Sequence, residues 1–223
     1  MENRFKAIIL DMDGVLIDTE TLVFDVFRAV FAPFNIDLSN DYQYKFIGQP
    51  FSNNLVDIRR DFGIDFDKQL VRDRFDRIYE EMLRASPLTV QNGIREIVQD
   101  AHKNGIKMAL CTTSTWHHVE AVFAKVREDS FDPAHFFNVV VTGDSVARKK
   151  PHPEPYLVAA ARLGESPRDC LVIEDSISGV QSAKAAGCFC VALRQPYNRH
   201  ISFAAADLVV ENLVDVLNIV LSD

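Results

Sequence analysis

Cysteine is sparse in this sequence: Cys111, Cys170, Cys188 and Cys190 are the whole complement, and no two of them form a C-x-x-C pair. Cys188 and Cys190, two apart on a strand, would share a face and so could bind metal or oxidise. Thiols in or beside apolar segments point instead to burial in a reducing compartment. A basic tract is also lacking. With 24 basic against 32 acidic residues the formal net charge is -8, which argues against nucleic acid or an anionic membrane surface as the main partner. A small phosphorylated molecule stays open, because a few local donors and a metal reverse the field inside one cleft. No uninterrupted apolar run reaches membrane-spanning length, and Met1 to Lys6 is short and polar rather than a secretory signal, so a cytoplasmic protein is expected. Internal repeats and low-complexity tracts are absent. So is a glycine-rich phosphate loop after the first strand, which tells against a nucleotide-binding dehydrogenase.

What the chain does have is a rhythm. Ala7-Ile-Ile-Leu10 is a continuous apolar run suited to a strand covered on both faces. Similar runs recur at 106–111, 139–141, 170–173, 188–192 and 207–210. Segments with helical spacing separate most of them, at 93–103, 115–128, 154–162, 176–186 and 211–220. The alternation predicts an α/β fold, a mostly parallel sheet with helices on both faces. One stretch breaks it. From about Thr19 to Ala85 there are only helical patterns, built on Leu22, Val26, Ala29 and Val30, then Leu55 and Ile58, then Leu70, Phe75, Ile78, Tyr79 and Met82. The expected organisation is therefore a core formed by 1–18 and 86–223 and an all-helical cap over 19–85, with Ser86-Pro87 marking the return. Inserted after the first strand, the cap is expected over the carboxyl ends of the strands, where open α/β folds bind ligands, and is read as a water-excluding lid.

Four polar clusters sit where predicted strands end. Asp11-Met-Asp13-Gly14 closes the first. Alternation puts Asp11 and Asp13 on one side of an extended chain, and two carboxylates that close call for a shared metal, a proton, or both. Alone, the motif reads equally as a capped turn or a calcium loop. Cys111-Thr112-Thr113-Ser114 follows the second run; its hydroxyls suit helix capping or an anion, with Thr112 the expected phosphate contact. Lys149-Lys150-Pro151 supplies an ammonium, with Lys150, beside the proline, expected in the site and Lys149 on the surface. Glu174-Asp175-Ser176 ends the strand at 170–173; Asp175 offers a hard oxygen for Mg²⁺, Glu174 a second carboxylate that is either a ligand or a supporting group, and Ser176 a helix cap.

In this order and at these positions the residues resemble the haloacid dehalogenase superfamily of phosphohydrolases, in the branch with a helical cap, similar to its beta-phosphoglucomutase and phosphoglycolate phosphatase relatives. The resemblance spans nearly the whole chain. It implies a Rossmann-like three-layer core, with Asp11 as nucleophile, Asp13 as general acid and base, and Thr112 and Lys150 completing the catalytic set. It further implies Mg²⁺ held by Asp11, the Asp13 main-chain oxygen and Asp175, with Glu174 at hand. An Asp at position 13 favours phosphorus over carbon as the target, since dehalogenases do not need that second aspartate. Substrate contacts are expected from Gly14, Thr113, Ser114 and Trp116 in the core, and from Glu20 and Phe51 in or beside the cap. Related mutases carry a phosphate-gripping arginine three positions beyond a cap glycine. Gly48 is the matching glycine here and puts Phe51 in that place, which favours a phosphatase over a mutase, because a phenyl ring offers no bidentate donor. The implied partner is a small phosphorylated metabolite, handled by a monomer or weak homodimer; a mutase and a noncatalytic phosphate-binding or signalling protein are the alternatives.

Overall fold

The computed structural model describes residues 4–39, 42, 45–46, 51–85, 88, 90–128 and 131–220. Ser86-Pro87 and Gly48, both used in the sequence reading, lie outside the described residues. The chain divides into two compact units, 1–18 with 88–223, and 19–87.

The larger unit is built on six strands: β1 (Ala7–Leu10), β2 (Lys107–Cys111), β3 (Val139–Val141), β4 (Cys170–Glu174), β5 (Phe189–Leu193) and β6 (Leu208–Val210). They form one parallel sheet in the order β3-β2-β1-β4-β5-β6. The unbroken apolar runs are explained by coverage on both faces: every residue of β1 and β4 is buried. Full burial of a side chain such as Ile8 or Ile9 contributes about 1.5–3 kcal/mol, so the central strands anchor the unit. Helices α4 (Ile94–Lys103), α5 (Trp116–Glu128), α6 (Glu154–Leu163), α7 (Ile177–Ala186) and α8 (Val214–Val220) lie on both sides of the sheet. Helix α4 packs on β2 and α8, while α6 packs on β1, β2, β3 and α7. The last helix starts three residues later than its apolar spacing suggests, where the Asn212 side chain accepts from the Val214 N–H, an Asx arrangement that competes with helix at its own position.

The smaller unit carries α1 (Glu20–Phe31), α2 (Phe51–Phe62) and α3 (Lys68–Ala85). Helix α3 begins where Asp67 accepts from the N–H groups of Gln69 and Leu70, satisfying two otherwise orphaned donors. Its inward face runs Val71, Phe75, Tyr79 and Leu83, a spacing of four. Leu70, which the apolar pattern placed on that face, is 66% exposed; it lies one residue, about 100°, off the buried stripe. Phe27 of α1 meets Phe46, Phe51 and Phe75 with ring centroids 4.6, 5.4 and 4.8 Å away, a cluster that joins the three helices. Among the described residues no helix is long and apolar enough to cross a membrane.

Candidate active site

The parallel register brings the sequence motifs to one edge of the sheet. Leu10 pairs with Leu110 on one side and Ile173 on the other, so Asp11, Thr112 and Glu174-Asp175 emerge from the carboxyl ends of three neighbouring strands. The Asp11 N–H continues the ladder to the Ile173 carbonyl at 3.0 Å, and that of Thr112 reaches the Val141 carbonyl at 2.9 Å. Beyond Asp11 the chain doubles back: the Gly14 N–H donates to Ile17 O at 2.7 Å, and Leu16 N–H to Met12 O at 2.9 Å. Gly14 adopts φ +82, and a Cβ there would fall on the Asp175 carboxylate and the Tyr197 hydroxyl. Both constraints select glycine.

Lys150 is the hub. Its ammonium, 2% exposed, donates to Asp11 Oδ1 at 2.6 Å, to Glu174 Oε1 at 2.6 Å and to the Cys111 carbonyl at 2.8 Å. Those three bonds use its three hydrogens. Glu174 is fully buried. Its Oε1 also accepts from the Tyr156 hydroxyl at 2.6 Å, while Oε2 accepts from Asp175 N, Ser176 N and Ser176 Oγ at 3.1, 3.3 and 3.0 Å. Ser176 in turn caps α7, accepting from the Gly179 N–H at 3.1 Å, the capping role read from the sequence. The Asp13 carboxylate accepts from Ser114 Oγ at 3.1 Å, and Thr112 Oγ1 accepts from Ser114 N–H at 3.0 Å. That second bond leaves the Thr112 hydroxyl hydrogen for another acceptor.

The charges are unevenly matched. Oxygens of Asp11, Glu174 and Asp175, all buried, lie within 4.8 Å of one another, with Asp13 near enough to raise the Asp11 pKa and Lys150 the cation among them. Burial pushes the Asp11 carboxyl up to about 8; Lys150 pulls against that shift, and Glu174 and Asp13 add to it. For Lys150 burial opposes the ammonium, but Asp11 and Glu174 outweigh it and hold the lysine above its usual value. Burial first, then Glu174, raises the Tyr156 phenol well above the ordinary range.

The remaining expected residues are placed as follows. Thr113 and Lys149 are exposed on the core unit. Trp116 opens α5, with its N–H 3.2 Å from both Asp144 carboxylate oxygens and its residue 46% exposed. Glu20 is the first residue of α1, and Phe51 stands at the start of α2 with the Arg72 guanidinium 3.9 Å over its ring. Both belong to the smaller unit. Three contributors escaped the sequence reading. Tyr156 sits in the first half of α6, and its only sequence mark is an aromatic in a helix. Tyr197 donates to Asp175 Oδ2 at 2.7 Å, and Asn198 Nδ2 donates to the Asp175 carbonyl at 3.0 Å. Both come from the connection between β5 and β6, which carries none of the four polar clusters.

Residues 8–193 match the family model described as haloacid dehalogenase-like hydrolase. The chain belongs to that family. It is 31% identical over 216 residues to Protein CbbY of Rhodobacter capsulatus, covering 94% of each chain. It is 34% identical over 186 residues to a phosphorylated carbohydrates phosphatase of Thermotoga maritima, covering 82% of each. Among solved structures, it resembles an aspartate-to-asparagine variant of CbbY from Rhodobacter sphaeroides in complex with xylulose-1,5-bisphosphate. The TM-score there is 0.78 at 25% identity, over 95% of this chain and 96% of that one. Within this hydrolase family the chain is a phosphoric monoester hydrolase.

Proposed function

We propose that the chain hydrolyses a small phosphate monoester of the sugar-phosphate class through an aspartyl phosphate on Asp11, with Mg²⁺ as cofactor. The observation that carries this reading is the meeting of buried carboxylate oxygens of Asp11, Glu174 and Asp175 within 4.8 Å of one another, with the first two paired to the buried ammonium of Lys150. Three buried carboxylates against one lysine leave an excess of negative charge, and their hard oxygens are the donors that Mg²⁺ prefers. Asp11 and Asp175 would hold the ion by their side chains and Asp13 by its main-chain oxygen. Glu174, whose oxygens already accept five hydrogen bonds, serves chiefly to fix Lys150 and the start of α7. When bound, the ion screens Asp11 from its anionic target and balances charge on the phosphoryl group.

The residues then divide the work. The Asp11 carboxylate attacks phosphorus in line as the ester P–O bond breaks, and Asp13 gives its proton to the leaving oxygen. Asp13 next takes a proton from the water that attacks the aspartyl phosphate, releasing inorganic phosphate and restoring Asp11. Ser114 orients the Asp13 carboxyl for both transfers. Lys150, its hydrogens committed to Asp11, Cys111 and Glu174, acts through charge and by holding the nucleophile in place. The Thr112 hydroxyl and the main chain at Thr113 would be the phosphate donors on this side, with Gly14 and Trp116 bordering the ester.

The helical unit is read as the lid, with Glu20 and Phe51 as its specificity positions. Phe51 stands where a mutase would need a guanidinium, and an aromatic ring engaged with Phe27, Phe75 and Arg72 suits a phosphatase better. The test is phosphate release from a panel of sugar phosphates, sugar bisphosphates, phosphoglycolate and nucleotides, with and without Mg²⁺. It is paired with Asp11→Asn, which should abolish both turnover and phosphoenzyme. Turnover of D11N at the unmodified rate would defeat the assignment. Hexose-phosphate interconversion primed by a bisphosphate, with no net phosphate release, would favour the mutase.

A further inference from the structure

The turn after β5 reaches back over the acidic cluster. Residues Pro196–Asn198 form one 3-10 turn, and three side chains around it grip the ends of β1 and β4. The Tyr197 hydroxyl lies 2.7 Å from Asp175 Oδ2 and 3.4 Å from the Gly14 carbonyl. A hydroxyl has one hydrogen to give, and the nearer, charged acceptor takes it. Gln195 Nε2 donates to that Gly14 carbonyl at 3.2 Å. The Asn198 amide spends its two hydrogens on the carbonyls of Asp175 and Leu193, both at 3.0 Å. The backbone of Asp175 is thus fixed by Asn198 and its carboxylate by Tyr197. The glycine at position 14 is what lets the phenol come so close.

We infer that Tyr197 is a positioning residue for the metal site: by holding Asp175 Oδ2 it fixes the plane in which the Asp175 carboxylate meets Asp11 and Glu174. This rests on the reading of the acidic cluster as a Mg²⁺ site. A carboxylate on a short side chain otherwise rotates between wells, and partners one step removed from a metal govern affinity by removing that freedom. Tyr197→Phe deletes the hydroxyl and keeps the ring.

The experiment is a Mg²⁺ titration of the purified full chain, read by thermal shift and calorimetry without substrate, followed by phosphate release at low and saturating Mg²⁺. The expected result is a Mg²⁺ Kd weakened about 10- to 100-fold in Y197F. The metal-free melting temperature should fall by several degrees, through loss of the one hydrogen bond to the carboxylate, and kcat should recover at saturating Mg²⁺. Equal Mg²⁺ affinity in parent and Y197F overturns the inference and leaves the phosphatase reading intact. A parent chain that binds no Mg²⁺ overturns both. If Y197F does not fold, Tyr197→Gln, which retains a donor, and Tyr197→Leu, which does not, enter the same titration. Tighter binding by the glutamine variant supports the assignment and equal binding ends it.

Discussion

Replacing a helical glycine with alanine normally stabilises a protein, by up to about 1 kcal/mol, yet at Gly179 the sign should reverse. Gly179 lies in the first turn of α7, and a Cβ there would overlap the Glu174 carboxylate carbon and both its oxygens. Glu174 has nowhere to retreat without breaking bonds, because its two oxygens accept from Lys150, Tyr156, Asp175 N–H and both donors of Ser176. Hydrogen bonds to a charged group are each worth about 1.5–3 kcal/mol. Loss of two of them, set against the helix gain, leaves Gly179→Ala about 2–5 kcal/mol less stable. For a chain of this size that corresponds to a melting temperature lower by roughly 5–20 °C. Thermal melts followed by circular dichroism give the number, and phosphate release should fall as well, since Lys150 and Asp11 share the displaced carboxylate. The control is the same change in a Glu174→Ala background, where the obstruction is gone and alanine should be neutral or mildly stabilising. A G179A protein as stable and active as its parent would show that Glu174 is not held as described.

Three further outcomes are expected. Lys150→Met should inactivate the enzyme and cost about 3–5 kcal/mol, by leaving Glu174 buried without its cation, and adding Glu174→Gln should restore part of that stability but no activity, as melts and phosphate release will show. In the Mg²⁺-free protein the folded Asp11 holds its proton from the ordinary 3.8 up to about 8 while the unfolded chain has lost it, so stability should decline as pH rises through that window. The Lys150 contribution, with its folded pKa raised, is fully present throughout. On the Mg²⁺ site proposed above, the ion would compete with the Asp11 proton, so the stabilisation it gives in a thermal-shift titration should grow with pH and level off near 8; a gain independent of pH contradicts this. Burial raises all four thiols, Cys111 and Cys188 to about 12 and Cys170 to about 11, with Cys190 also raised. Ellman's reagent at mildly alkaline pH should therefore label fewer than one per native chain, and all four once guanidinium has unfolded it.

Much of this site was legible in the sequence because its groups sit at strand ends, where a change from unbroken apolar residues to acids or hydroxyls is sharp. Asp11 follows Leu10, Thr112 follows Cys111, and Glu174-Asp175 follow Ile173, and each break coincides with the end of a paired strand. Tyr156, Tyr197 and Asn198 were not legible for the opposite reason. Their partners Glu174 and Asp175 lie 18, 22 and 23 residues away, and neither a period nor a local motif encodes a contact made only when separate strands come together. The cap helices were recognisable from their spacing, but which residue of α3 turned inward was not: Leu70 and Val71 are both apolar, and only the packing of Phe75 and Tyr79 decides that Val71 belongs to the stripe. Fold class is thus set by long runs of similar residues, whereas the supports of a site rest on single side chains.

The placement of β1, with a neighbour on either side in the middle of the sheet, bears on how the molecule breathes. Its amide hydrogens at Ile8, Ile9 and Leu10 should be among the last to exchange with deuterated solvent, while the outermost strands β3 and β6, each bordered on one side only, should exchange early. Asp11, the proposed nucleophile, directly follows the segment expected to open last, so partial unravelling at the sheet's margins should leave its aim undisturbed.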